Sequence, residues 1–127
     1  WVICDRFFDA TTVYQGFARG QDVSLIETLN ATACQGIVPD VTFLLDCPVD
    51  LGIKRALRRN RSEFLEAQGR FEEETLQFHE AVRKGYLRLA REAPERFVVL
   101  DGTLPEKRLE RLIVGHLEPF FPVRGGG

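Results

Sequence analysis

Three short runs of apolar residues divide the chain and predict the strands of a buried sheet. They occupy residues 2–4, 41–45 and 97–100, and apart from Thr42 every residue of these runs is apolar, without alternation. A continuous run is typical of a strand in a parallel sheet that is covered on both faces. Asp5, Asp46 and Asp101 follow the three runs directly. We therefore expect three carboxylates at the carboxyl edge of the sheet, where such folds bind ligands.

Helical patterns fill the intervals between these runs. They cover residues 9–17, 22–33, a segment that starts near Pro48, 71–93 and 105–117. Asp22 is placed to cap the second helix, and apolar side chains recur every three or four positions along the fourth. Strands that alternate with helices in this order predict an α/β fold, with a parallel sheet, right-handed crossovers and helices on both faces.

The predicted sheet is small for a fold of this kind. Strands that are apolar on both faces need neighbours, and the 127 residues supply few of them. The chain also contains no methionine, and its first residues already belong to a predicted strand. We expect a single partial domain over residues 1–127 that lacks N-terminal strands, with a C-terminal tail at 119–127.

Composition and charge narrow the class of protein. Hydrophobic residues make up 44% and charged residues 28%, which is typical of a soluble globular domain. A net charge of −2 argues against broad binding to nucleic acid. No apolar run approaches the roughly 20 residues of a membrane span. The three cysteines lack the spacing of a metal site, so a reducing cytoplasm is the expected compartment.

Two neighbouring segments after the first predicted strand carry candidate chemistry. Asp5 suits Mg²⁺ or its waters and Arg6 suits a phosphate; alternatively, Asp5 caps the next turn and Arg6 neutralises it. Thr11, Tyr14 and Gln15 are three and four positions apart, so a helix would place them together to read a nucleobase and its sugar. The alternative is a half-buried helix whose tyrosine packs in the core.

The remaining polar features are less specific. Five cations fall within the segment KRALRRNR, residues 54–61, and lead into a hydrophilic stretch. Mobile arginines beside a phosphate site stabilise transferring charge, although a solvated helix face explains the same pattern. Residues 101–105 either cradle a purine or simply connect two elements. His79 and His116 are interpreted as surface or packing residues, and Asp46 as a helix cap.

Four blocks of sequence occur in an order that is shared with one enzyme family. They are VICDRFFDATTVYQGFARG, PDVTFLLDCPVDLGIKRALRR, RFEEETLQFHEAVRKGYLRLA and RFVVLDGTLP, and they cover nearly the whole chain. Together they resemble the C-terminal two-thirds of a bacterial thymidylate kinase. The resemblance implies a P-loop nucleoside monophosphate kinase-like fold and Mg²⁺-dependent transfer of the ATP γ-phosphoryl group to dTMP, which gives dTDP for dTTP synthesis. It also implies a homodimer, with the first helix and the helix at 22–33 as candidate interface elements.

The resemblance also implies a role for each matching residue. The catalytic pair would be Asp5, which helps organise Mg²⁺ and the phosphates, and Arg59, which stabilises charge in the transition state. Residues on the dTMP side would be Arg6 at the phosphate, Thr11 and Gln15 at the thymine, Tyr14 at the deoxyribose, and Phe71 and Glu72 at the border of the site. Residues on the ATP and lid side would be Arg55, Arg59, Arg70, Gly102 and Thr103, with the lid at about 59–70.

The sequence departs from the family pattern in several places. Phe7 stands where tyrosine is commoner, Gly69 where aspartate is frequent, and the lid is a few residues longer. None of the eleven glycines belongs to G-x-x-x-x-G-K-[ST], the loop that cradles the phosphates of ATP. We therefore expect the chain alone to be inactive. Two other hypotheses stay open: a related deoxynucleoside or nucleotide kinase with another acceptor, and a non-catalytic interaction domain.

Overall fold

The computed structural model of the protein describes residues 1–59 and 72–121. The side chains of Arg59 and of residues 72–74 lie outside that description, as do the predicted lid beyond residue 59 and the tail beyond residue 121. The elements are α1 (Phe8–Thr11), a π-helix (Thr12–Ala18), α2 (Val23–Cys34), β1 (Thr42–Asp46), α3 (Val49–Arg59), α4 (Glu72–Glu92), β2 (Phe97–Asp101), α5 (Glu106–Leu117) and a 3₁₀ turn (Glu118–Phe120). All the predicted helical segments are confirmed as helical.

The sheet is built from the second and third predicted strands. β1 and β2 are parallel, and their register pairs Thr42 with Phe97 and Asp46 with Asp101. The connection through α3 and α4 is the crossover that the sequence predicts between parallel strands. Both strands extend one residue further than predicted, so that the two aspartates close the strands side by side. The α/β fold with a parallel sheet is therefore confirmed.

The prediction of a strand at residues 2–4 is wrong. Val2 is 94% and Ile3 95% exposed, and neither belongs to a strand. Within the described residues, β1 and β2 pair only with each other. An apolar run becomes a strand only when a neighbouring strand takes up its backbone N–H and C=O groups, and residues 1–59 and 72–121 place no strand beside this run.

Close packing between the π-helix and α4 forms the centre of the core. Val13 is fully buried, and a Cβ on Gly85 would lie 3.0 Å from its Cγ1 and 3.0 Å from Cδ2 of Phe17. Glycine at this position therefore lets the two helices approach more closely than alanine would. Within the described ranges, every helix is too short or too polar to cross a membrane.

A buried ion pair anchors α1 to the start of the sheet. Arg96 donates to both carboxylate oxygens of Asp9, at 2.7 and 2.8 Å, and to the hydroxyl of Thr42 at 3.2 Å. The predicted cap of α2 is also confirmed, because the Asp22 carboxylate accepts hydrogen bonds from the first N–H groups of the helix. These contacts fix the segments that carry the candidate site.

Candidate functional site

A large cleft opens where β1 ends, between α3 and α4. Its volume is about 1130 Å³. The side chains that line it and carry polar groups are Arg6, Tyr14, Asp46, Cys47, Asp50, Lys54, Thr75, His79, Arg83 and Tyr86. A cleft beyond the carboxyl end of a parallel strand is where open α/β sheets bind ligands. Its size suits a small molecule such as a nucleotide.

Arg6 and Tyr14, both predicted to bind substrate, meet at this cleft. Nη2 of Arg6 donates to the Tyr14 hydroxyl at 3.3 Å, and the guanidinium lies 5.2 Å from the centre of the ring. Arg6 has a left-handed backbone with a φ of 60°, a conformation that costs a non-glycine residue about 1–3 kcal/mol. Asp5, beside it, is exposed. The bend thus aims the guanidinium of Arg6 at the cleft.

Thr11 and Gln15, the residues predicted to meet the thymine, are not among the residues that line the cleft. The predicted grouping with Tyr14 assumed α-helical spacing, whereas Thr12–Ala18 form a π-helix whose hydrogen bonds join more distant residues. Thr11 is exposed and Gln15 half-buried, and neither lines the cleft. Tyr14 itself packs edge-on against Phe78 at 5.8 Å, so the core-packing alternative describes part of its environment. Short π-helical segments occur frequently at functional sites.

Asp46 forms a two-pronged ion pair with Arg83 on the wall of the cleft. Nε and Nη2 of Arg83 donate to the two carboxylate oxygens at 2.8 and 3.0 Å. These hydrogen bonds, with the positive charge of Arg83, hold the pKa of Asp46 below its usual range. The interpretation of Asp46 as a helix cap is wrong, because α3 begins at Val49 and Pro48 accepts the first helical hydrogen bond.

Three of the predicted ATP-side residues, Arg55, Gly102 and Thr103, lie at or beside the turn that follows β2. Nη1 of Arg55 donates to the backbone oxygen of Gly102 at 2.8 Å, and the N–H of Gly102 donates to the backbone oxygen of Asp46 at 2.7 Å. Thr103 donates through its N–H and its hydroxyl to the carboxylate of Asp101, at 2.9 and 2.6 Å. The turn at residues 101–105 is thereby tied to both α3 and β1.

Sequence reasoning missed four polar side chains that α4 contributes to the cleft: Thr75, His79, Arg83 and Tyr86. Tyr86 is half-buried, and its pKa is raised, first by burial and then by the neighbouring Tyr14. His79, interpreted as a surface or packing residue, lies half-buried in the cleft wall with its ring edge-on to Phe78 at 5.7 Å. Thr75, His79 and Arg83 are spaced by four, next to the apolar stripe of the helix. This spacing is the signal that would have found them.

Several predicted site residues lie outside the described part of the chain. They are the side chains of Arg59 and Glu72, together with Arg70 and Phe71. Over residues 1–59 and 72–121, no three His, Cys, Asp or Glu side chains converge as metal ligands would.

The fold and its cleft place this chain in the class of α/β proteins that bind small ligands at the carboxyl edge of a parallel sheet. The sequence profile of the family described as "Thymidylate kinase" matches residues 1–113. The chain is 56% identical over 103 residues to the thymidylate kinase of Trichlorobacter lovleyi, covering 81% of this chain and 49% of that protein. It is 46% identical over 127 residues to that of Desulfovibrio desulfuricans, covering 99% of this chain and 58% of that protein.

The chain therefore belongs to the thymidylate kinase family. A crystal structure of thymidylate kinase from Ehrlichia chaffeensis matches with a TM-score of 0.64 at 28% identity, over 92% of this chain and 48% of that chain. The family assignment and the P-loop kinase-like fold class predicted from sequence are thus confirmed. The chain spans about half the length of the curated relatives it matches.

Proposed function

We propose that the protein carrying this chain transfers the γ-phosphoryl group of ATP to dTMP and releases dTDP and ADP. The observation that carries this proposal is the guanidinium of Arg6, aimed by its left-handed backbone into a cleft at the carboxyl end of the sheet. An arginine in that place is suited to two-pronged binding of a phosphate. Family membership supplies the expected chemistry of the two substrates.

On the acceptor side, Arg6 holds the phosphate of dTMP and Tyr14 packs beside the deoxyribose. Both line the cleft and already contact each other, so binding requires little reorganisation of either side chain. Thr11 and Gln15 contact the thymine, which requires dTMP to reach from the cleft to the exposed side of the helical segment 8–18. Phe71 and Glu72 border the acceptor in this proposal by resemblance alone.

On the donor side, the turn at residues 101–105 borders the adenine. Arg55 holds the backbone oxygen of Gly102, so α3 positions the turn in which Gly102 and Thr103 lie. By resemblance alone, Arg59 stabilises the charge on the transferring group, and Arg70 binds the nucleotide from the lid at about 59–70. An acceptor oxygen of dTMP attacks the γ-phosphorus in line, and the bond to the bridging oxygen of ADP breaks.

Mg²⁺ fits the donor set that the described residues offer. This ion is usually held by one or two carboxylates together with substrate phosphates and waters, rather than by a cage of protein ligands. The exposed carboxylate of Asp5, next to Arg6, provides one such oxygen donor, and no larger ligand cluster lies in the described ranges. When bound, Mg²⁺ neutralises charge on the phosphoryl oxygens.

We also propose that the protein forms a homodimer through α2. Leu25 and Leu29, one helical turn apart, are 57% and 58% exposed, which supports a second copy as their cover. Analytical ultracentrifugation of the protein and of a Leu25→Lys/Leu29→Lys variant tests this. We expect a dimer for the unmodified protein and a monomer for the variant; a monomeric unmodified protein would contradict the proposal.

The test of the reaction compares two polypeptides in an assay of ADP release that requires both ATP and dTMP. The first is the 127-residue chain; the second joins it to the part of the Trichlorobacter lovleyi relative that precedes the matched region. We expect turnover only from the second, because residues 1–127 contain no loop of the phosphate-cradling sequence. Turnover by the 127 residues alone would refute the need for that loop.

The same assay separates the competing hypotheses. A preference of the joined polypeptide for a nucleoside or for dCMP would replace dTMP as the acceptor and favour a related kinase. If the joined polypeptide folds and remains inactive with every acceptor, the non-catalytic interaction domain becomes the better explanation.

A further inference from the structure

The charges on the cleft wall are nearly balanced. Among the described residues, three cations line the cleft, Arg6, Lys54 and Arg83, against two carboxylates, Asp46 and Asp50. Lys54 and Asp50 lie at 3.9 Å on the exposed side of α3 and largely offset each other. The net charge that a ligand meets thus depends on Arg6 and on whether Asp46 is neutralised.

The contact between Asp46 and Arg83 achieves this neutralisation. Two of the three guanidinium nitrogens of Arg83 bind the two carboxylate oxygens, so both oxygens have a cationic partner. The side chains are 33% and 24% exposed. Ion pairs with this degree of exposure contribute little to stability, which leaves the local potential as the property that the pair changes most.

We propose that Arg83 is a positioning residue that neutralises and fixes Asp46, so that the wall at the end of β1 accepts the phosphate of the bound nucleotide. This inference rests on the proposed function, because it concerns the same cleft and the same anionic ligand. Asp46 closes β1 and points into the cleft that Arg6 enters, so an unpaired carboxylate there would repel the phosphate that Arg6 attracts.

Nε and Nη2 of Arg83 are bound to Asp46, and in this proposal Arg83 acts through that carboxylate. A direct contact of Nη1 with the ligand is the alternative that the variants below distinguish. Removal of Arg83 exposes a negative charge near the phosphate. Removal of both charges restores the balance of the wall. A direct contact to phosphate would behave differently, since the loss of Asp46 could not replace it.

The experiment measures the dissociation constants of dTMP and of uncharged thymidine by calorimetry, in the full-length protein that carries this chain. We expect Arg83→Gln to raise the dissociation constant of dTMP about tenfold and to leave that of thymidine unchanged. The reason is that a nearby like charge repels only the phosphate, which thymidine lacks. Arg83→Gln/Asp46→Asn should regain the unmodified affinity for dTMP. The matched control is Arg88→Gln, which breaks an exposed 2.7 Å pair with Glu92 on the same helix and should change neither constant.

Each outcome decides the inference. Equal weakening of dTMP and thymidine, or a double variant that stays weak, would overturn it, and the first result would assign Arg83 a purely structural role. If Arg83→Gln does not fold, Asp46→Asn alone carries the test: neutralisation predicts that dTMP affinity is kept or raised, and a loss contradicts it. If the unmodified protein binds no dTMP, the proposed function fails, which is distinguishable from failure of the charge pattern alone.

Discussion

Arg55 on α3 holds the backbone oxygen of Gly102 at 2.8 Å, across 47 positions of the chain. Gly102 in turn donates its N–H to the backbone oxygen of Asp46, and Asp46 binds Arg83 on α4. A continuous series of polar contacts therefore runs from α3 through the turn after β2 and the end of β1 to α4. This series of contacts connects the residues predicted for the ATP side with the wall of the cleft.

Substitution of Gly102 tests how tightly the turn is packed. A Cβ at this position would lie 2.9 Å from the backbone oxygen of Asp46 and 3.3 Å from the carbonyl carbon of Leu45, and backbone atoms cannot move aside cheaply. We expect Gly102→Ala to lower the free energy of unfolding by about 1–3 kcal/mol, measured by urea denaturation.

The matched control for that variant is Gly115→Ala. A Cβ on Gly115, within α5, meets nothing within 4 Å. Alanine there should raise the free energy of unfolding by about 0.5–1 kcal/mol, because alanine favours a helix over glycine. Equal effects of the two substitutions would contradict the close packing at residue 102.

Arg55→Gln tests the link between α3 and the turn. Loss of the guanidinium releases the backbone oxygen of Gly102, so the turn that we propose to border ATP loses its support, while Arg6 and Tyr14, proposed to bind dTMP, keep their contact. In the full-length protein we expect KM for ATP to rise by about three- to tenfold, with KM for dTMP little changed. Arg58→Gln, an exposed neighbour on the same helix, serves as the control. A larger effect on dTMP than on ATP would refute this assignment.

Runs of apolar residues predicted two of the three expected strands correctly. The apolar runs at 41–45 and 97–100 became β1 and β2 because each supplies the other with a parallel partner. The run at 2–4 has the same pattern, yet its side chains are exposed, since pairing depends on a neighbour rather than on the run itself. The hydrophobic pattern thus predicted a strand only where a second strand was present, and the expected burial on both faces is not found, since Leu45 and Val99 remain 49% and 46% exposed.

The candidate site was predictable to the extent that its residues are close in sequence. Arg6 and Tyr14, eight positions apart, were both predicted, and the structure joins them. The partner of Asp46 lies 37 positions away on another element, and no local spacing indicates it. The role of Thr11 and Gln15 stays a prediction, and their α-helical spacing in sequence did not reveal the π-helix that contains Gln15.

The pair formed by Asp9 and Arg96 is expected to dominate the stability of the segment around α1. The side chains are only 8% and 15% exposed, and the contact is two-pronged. Arg96→Gln leaves a buried carboxylate without its counter-charge, so we expect the free energy of unfolding to fall by about 3–5 kcal/mol in thermal or urea unfolding.

An exposed ion pair on α3 provides the comparison. Lys54 and Asp50 lie 3.9 Å apart with more than half of each side chain exposed, at 69% and 67%. We expect Lys54→Gln to lower the free energy of unfolding by less than about 0.5 kcal/mol. If Arg96→Gln lowers the free energy of unfolding no more than Lys54→Gln does, burial does not determine how much the pair of Asp9 and Arg96 contributes to stability.

The pair formed by Asp46 and Arg83 should make stability depend on pH in the acid range. Hydrogen bonds from Arg83 hold the pKa of Asp46 below the ordinary 3.8, more than offsetting burial, which alone would raise it. As the pH falls, the unfolded chain therefore takes up this proton before the folded chain does, and the balance shifts toward unfolding. The contribution of Asp46 is fully present above pH 3.8 and is lost as the pH falls through the lower pKa of the folded state.

Urea unfolding of the unmodified protein and of Asp46→Asn, from neutral pH to about pH 2, isolates this contribution. Asp101, whose pKa is lowered chiefly by Thr103, titrates in both proteins and largely cancels from the comparison. We expect the difference in unfolding free energy to be at most about 1 kcal/mol, because solvent screens a pair exposed to 33% and 24%. It should be constant down to about pH 4 and shrink below it. A difference that persists unchanged at about pH 2 would mean that packing or geometry, rather than the charge of Asp46, accounts for the effect of the substitution.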